Sequence, residues 1–246
     1  MDDLRVDEIT VARRFCGPPG SANGGYTAGL LASAFRLDHA AEAVEVTLRR
    51  PPPLDTAMTV RRTDDSASLF ADDLLVAEAR RGELGAEPVE AVSFGEARQA
   101  ETAYAGLAEH PFPGCFTCGP ARQPGDALRL SPGPVDGART ACTWTPHESL
   151  ARDDDPGVAR PEFVWACLDC PGGWTADVVG RPMVLGRITA NVDAPAEIGE
   201  RHVVMGQLLG HEGRKTFTAT SLYDSDGRVV GRAEHVWIAV DPGTFG

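Results

Sequence analysis

The feature that most constrains this chain is an order of elements that occurs twice. In the first half, "EITVARRF" (8–15) alternates polar and apolar residues as a strand does. The Gly/Pro/Ser loop "CGPPGSANGG" (16–25) follows, and then "YTAGLLASAFRL" (26–37), an apolar, Ala/Leu-rich stretch about three helical turns long. "AVEVTLRR" (43–50), "AMTVRRT", "ASLFADDLLVAEARRGE" and "VEAVSF" then read as antiparallel strands. In the second half, "ARTACTWTP" (138–146) is a strand and "PEFVWACLDC" (161–170) a helix whose first residue is proline, where a missing N–H costs nothing. "MVLGRITANV" (183–192) and two long alternating strands complete it, the last pair turning at Asp226-Gly227. Each half therefore has one apolar helix and enough strand to wrap it. This predicts an α+β chain of two like domains, residues 1–100 and 138–246, joined by a lead-in segment, 101–137.

Composition narrows the function classes. The 246 residues carry a net charge of −13, and 22 of the 23 basic residues are arginine, Lys215 being the lone lysine. An acidic, nearly lysine-free chain is a poor partner for nucleic acid or an anionic membrane. "MDDLRVDEIT" has no apolar signal region, and no run approaches the roughly 18 apolar residues of a membrane span. The expectation is a soluble, cytoplasmic protein. The Ala, Gly, Pro, Arg and Asp content suggests a GC-rich bacterial genome. Six cysteines are too few for a disulfide scaffold and should stay reduced there.

"CFTCGPARQPGDALRL" (115–130), "RPEFVWACLDCPGGW" and "ANGGYTAGLLAS" resemble hot-dog thioesterases, in particular acyl-CoA thioesterase-like proteins with two fused hot-dog domains. The likeness spans roughly residues 8–240. It implies a tandem hot dog, each half a long helix wrapped by a curved antiparallel sheet. It implies a coenzyme A thioester as substrate, no further cofactor, and assembly as a homodimer. Asn23-Gly24-Gly25 is similar to the family's His-Gly-Gly helix start, with Asn23 in place of histidine. In that family a catalytic carboxylate follows the first glycine by eight residues. The same spacing places Asp169 at the acid of the second half, after Pro161.

Thioester hydrolysis needs a donor for the developing oxyanion, a base or nucleophile, and a slot for the acyl chain. The unpaired N–H groups at a helix N-terminus supply the first. Gly24 and Gly25 let a carbonyl approach closely, and Asn23 can cap or donate; an ordinary glycine-rich loop with an Asn cap reads the same way. A carboxylate among Phe163, Val164, Trp165, Ala166 and Leu168 is costly unless paired or functional, and burial raises its pKa toward a base's range. Each half departs from the family in its own way. Ala32 stands where the first half should carry its acid, and Pro161 has no N–H to give. The complementary losses predict one composite site, the amides of one half facing Asp169 of the other. Tyr26, Trp165, Thr189 and Arg50 are the candidate substrate-binding residues. Asn191 beside Thr189 is a further place for the attacking water.

Cys115-x-x-Cys118 and Cys167-x-x-Cys170 have the form of two zinc half-sites, but they are too far apart for a ribbon, and the second pair lies on an apolar helix. The expectation is packing, with no metal. The histidines (39, 110, 147, 202, 211 and 235) form no ligand pair at helical spacing, and His235 reads as structural. Arg49, Arg50, Arg61, Arg62 and Arg187 are candidates for coenzyme A phosphates, or plain ion-pair partners. No nucleophile elbow, P-loop or dinucleotide fingerprint occurs. Two readings stand: an acyl-CoA thioesterase-like hydrolase, and a noncatalytic hot dog that binds an acyl-CoA or apolar ligand or serves assembly. A hot-dog dehydratase would want a histidine near the helix, and none is placed there.

Overall fold

The computed structural model describes residues 6–35 and 42–241. The first half contains β1 (Val6–Thr10), α1 (Gly24–Ala34), β2 (Ala43–Leu48), β3 (Ala57–Arg62), β4 (Ser66–Ala71) and β5 (Leu74–Gly82). A connector carries α2 (Phe94–Glu101) and the short β6 (Gly133–Pro134). The second half contains β7 (Arg139–Trp144), α3 (Pro161–Gly173), β8 (Met183–Val192), β9 (His202–Glu212), β10 (Lys215–Tyr223) and β11 (Val229–Ala239).

All these strands join one antiparallel sheet, in the order β1-β3-β4-β5-β2-β8-β11-β10-β9-β7-β6. The halves meet at β2 and β8, where Val44 faces Ala190 and Thr47 faces Arg187. Outward from that seam the order is β2-β5-β4-β3-β1 on one side and β8-β11-β10-β9-β7 on the other. Every strand of one half thus has a counterpart in the other. α1 lies against β2, β4 and β5, α3 against β7 to β11, and the two helices pack on each other. Every α3 residue after Pro161 is buried, as a helix with no polar face requires.

Several local readings change. The first strand ends at Thr10, and Arg13–Phe15 is a 3-10 turn. Residues 89–94 are not a strand. Ser93 caps α2 through a reciprocal pair, Oγ accepting from Glu96 N at 3.2 Å and Glu96 Oε2 accepting from Ser93 N at 2.8 Å. The capping box overrides the weak alternation of "VEAVSF". α2, assigned by sequence to the first domain except for its last residue, packs Ala97 and Ala100 on Ala141, Val203 and Met205 of the second half. α3 runs past Cys170 through Pro171 to Gly173. The end of the helix expected over 26–37, and His39, lie outside the described residues. No helix among the described residues is long and apolar enough to cross a membrane.

The helix pair depends on glycine. A Cβ on Gly29 would stand 2.7 Å from Glu162 Cα and 2.8 Å from Trp165 Cβ. In an open helix Gly→Ala stabilises by up to about 1 kcal/mol. Here Gly29→Ala should instead destabilise by about 1–3 kcal/mol, the usual cost of overpacking. Denaturant unfolding of the variant checks the sign; an unchanged or higher midpoint would remove the close contact from the account.

His235 is buried on β11, with Nδ1 3.1 Å from Thr218 Oγ1 and its ring tilted on Trp237. Burial lowers its pKa to about 4. The unfolded chain, near 6.5, then binds more protons between these values, so this contribution is complete above about pH 6.5 and fades as pH falls toward 4. The loss should reach about 3 kcal/mol. Unfolding free energies at pH 7 and pH 4 for wild type and His235→Gln check this: the variant should lack that part of the acid slope.

Candidate active site between the two halves

Asn23 is the N-cap of α1. Its Oδ1 accepts from Tyr26 N at 2.8 Å, satisfying one orphan donor of the first turn. With the oxygen so engaged, Nδ2 points across to α3 and donates to Asp169 Oδ2 at 3.1 Å. The Gly25 N–H donates to the same oxygen at 3.0 Å. Gly25 allows this approach because a Cβ there would lie 2.6 Å from Asp169 Cβ. The first half's helix start therefore holds the second half's carboxylate. Asp169 is 2% exposed, and its Oδ1 has no hydrogen-bond partner. Burial pushes its pKa up to about 7, against the opposing pull of the Gly25 N–H and the Asn23 amide.

Gly24 is the first helical residue, so its N–H has no partner within the helix. Together with Asn23 and Asp169 it lines a cavity of about 230 Å³. Leu48, Phe112, Trp174, Met183, Leu185 and Trp237 give that cavity its apolar walls, and the exposed Arg49 and Arg50 also line it. Arg50 donates to Leu75 O at 2.8 Å, and Arg49 pairs with Glu78 at 2.7 Å. In the other half, α3 begins at Pro161, and Ala32 occupies the α1 position equivalent to Asp169.

The remaining candidates stand elsewhere. Tyr26 is a core residue, stacked on Phe15 at 4.2 Å and set edge-on to Phe116. Trp165 is buried against Gly29. Thr189 sits in the seam of the sheet, opposite Glu45 and Glu234. None of the three lines the cavity. For Tyr26 and Trp165 the reason is periodicity: a helix packed on several faces turns most of its apolar side chains away from any one site. Asn191 donates to Asp193 at 2.8 Å. Arg61 lies over Phe70, Arg62 pairs with Asp7, and Arg187 reaches Glu45 at 3.5 Å. These three arginines are also off the cavity.

The cysteines do not pair as the spacing suggested. Cys170 faces Cys115 and Cys118, and the three Sγ atoms lie within 4.8 Å of one another. Cys167, three residues earlier, is in the main core with Cys142. Hydrogen bonds from Cys118 and Cys170, with help from the Cys118 and Thr117 backbone N–H groups, hold the Cys115 thiol below its ordinary range. Burial raises the Cys118 thiol, and the bond to Cys115 raises Cys170. His110 Nε2 is 3.4 Å from Cys118 Sγ, and Trp174 packs on both His110 and Tyr104. Sequence reasoning missed Phe112, His110 and Trp174. The available signal was "HPFPGCFTCG", a histidine and aromatics immediately around the cysteines.

No family profile and no curated protein sequence matches the chain. Solved structures do. A tesB protein from Mycobacterium avium subspecies paratuberculosis superposes with a TM-score of 0.63 at 10% identity, covering 97% of this chain and 96% of its own. A candidate thioesterase from Novosphingobium aromaticivorans gives 0.62 at 14% identity, covering 98% and 97%. A conserved hot-dog protein of unknown function from Alicyclobacillus acidocaldarius gives 0.56 at 12%, covering 98% and 96%. Across its length, this chain has the tandem hot-dog fold.

Proposed function

We propose that the chain is an acyl-CoA thioesterase-like hydrolase with one composite active site between its halves. The observation that supports this most is the Asp169 carboxylate, carried by α3, held at 3.0 Å by the Gly25 N–H and at 3.1 Å by Asn23 of the other half, beside an apolar cavity. In this reading the Gly24 N–H receives the thioester oxygen. Asp169 Oδ2 stays anchored, and Oδ1 takes a proton from water. The hydroxide adds to the carbonyl carbon, the intermediate collapses, and the C–S bond breaks. The departing thiolate recovers the proton, leaving a carboxylic acid and free coenzyme A. Gly25 serves to hold the acid, so the oxyanion role falls to Gly24 alone. Arg50 and Arg49 supply positive charge for the phosphates. The apolar side chains Leu48, Leu185 and Trp237 take the acyl group.

Free-thiol release from a panel of short to long acyl-CoAs tests this, with saturable turnover expected for at least one chain length. The second reading, a binding module without turnover, draws support from the sequestered state of Asp169, 2% exposed with Oδ2 accepting two hydrogen bonds. Saturable binding across the panel with no thiol release would establish it instead.

A further inference from the structure

Cys115, Cys118 and Cys170 come from two distant segments and meet at one point. Cys115 and Cys170 Sγ are 4.0 Å apart, and all three sulfurs fall within 4.8 Å of one another. Thiolates bound at about 2.3 Å in a tetrahedral set stand roughly 3.8 Å apart. A disulfide between any two would leave the third thiol unpaired in a buried setting. The chain turns tightly after Cys115. Gly119 N bonds Cys115 O at 2.9 Å. A Cβ on Gly119 would lie 2.4 Å from Pro113 O, so the tight turn requires glycine.

We propose that Cys115, Cys118 and Cys170 together bind one thiophilic metal ion, zinc by ligand type, that clasps the lead-in segment to α3. His110 supports the set from outside. Its Nδ1 accepts from Phe112 N at 2.9 Å, which places the ring proton on Nε2, 3.4 Å from Cys118 Sγ. An N–H donated to a ligating thiolate is the outer contact that fixes ligand orientation. The three thiolates leave a fourth coordination position, and the cavity beside Asp169 reaches all three cysteines. Cys115 Sγ is also 3.9 Å from Asn23 Nδ2, so the ion would brace the residues that hold Asp169. The inference stands on the cysteine geometry and is independent of the reaction proposed above.

Metal analysis of the full-length protein, followed by cobalt(II) titration of the metal-stripped form, tests it. One zinc per chain is expected, and cobalt should give thiolate charge-transfer absorption with the intense visible bands of a four-coordinate site. Cys115→Ser, Cys118→Ser and Cys170→Ser should each lose the ion. Cys167→Ser and Cys142→Ser, which probe packing alone, should keep it. His110→Ala should weaken binding about 10–100-fold. Asp169→Asn should keep the ion whatever its effect on thioester cleavage. Absence of charge-transfer bands, loss of the ion in Cys167→Ser with retention in Cys170→Ser, or a Cys115–Cys170 disulfide found by mass spectrometry would overturn the proposal.

Discussion

Asp169→Asn should lower the rate of thiol release by about 10²–10⁴-fold, the range lost when a positioned general base is removed. The substitution is close to isosteric, and an asparagine oxygen can still accept from the Gly25 N–H, so the helix pair should keep its geometry. What disappears is the unpartnered Oδ1 as a proton acceptor. The loss should therefore appear in kcat, with KM little changed, since in the proposed reaction Asp169 acts in the chemical step more than in ground-state binding. Steady-state kinetics on the best acyl-CoA of the panel decide this, with thermal unfolding as the check on folding. A variant that turns over at the wild-type rate would remove Asp169 from the mechanism.

Gly24→Pro should cost about 10²–10³-fold in kcat, the usual consequence of losing one oxyanion donor. Proline removes the N–H and suits the position otherwise. Gly24 is the first residue of α1, where proline is tolerated, and Asn23 before it already has the extended backbone that proline demands, φ −62° and ψ 133°. The molecule contains its own precedent, because Pro161 begins α3 after Arg160 at φ −62° and ψ 142°. Added bulk is the confounding effect: a Cβ at Gly24 would stand 2.9 Å from Leu185 Cβ and 3.1 Å from Leu48 Cδ1. Gly24→Ala carries that bulk and keeps the N–H. It should lose distinctly less activity than the proline variant. Equal losses would assign the effect to crowding of the cavity and leave the oxyanion role unsupported.

The two substitutions act on opposite halves of the chain, and this is where the site was legible in part. Asn23, Gly24 and Asp169 could be selected from spacing and from the family likeness, and the structure brings all three to one cavity. Tyr26 and Trp165 could not be sorted the same way. Both lie on apolar helices that are buried over most of their surface, so hydrophobicity carries no information about which face meets the cavity and which meets the core. Cys167 and Cys170 pose the same problem more sharply. They are three residues apart on one helix, yet Cys167 joins the main core while Cys170 joins Cys115 and Cys118.

From sequence alone, the doubled order of strand, apolar helix and antiparallel strands was already determined, because hydrophobic period and turn residues act over a few neighbours. So were the proline at the head of α3 and the alanine, Ala32, where the family likeness expects an acid. Tertiary structure decided everything that depends on distance across the chain. It set β2 beside β8, moved α2 onto the second half, and placed Gly25 close enough to α3 for its N–H to reach Asp169. It also gathered three thiols separated by as many as 55 residues into one group. The physical reason is the same in each case: a side chain's neighbours follow from how two buried helices pack, and that packing depends on volume and close approach that no local pattern records.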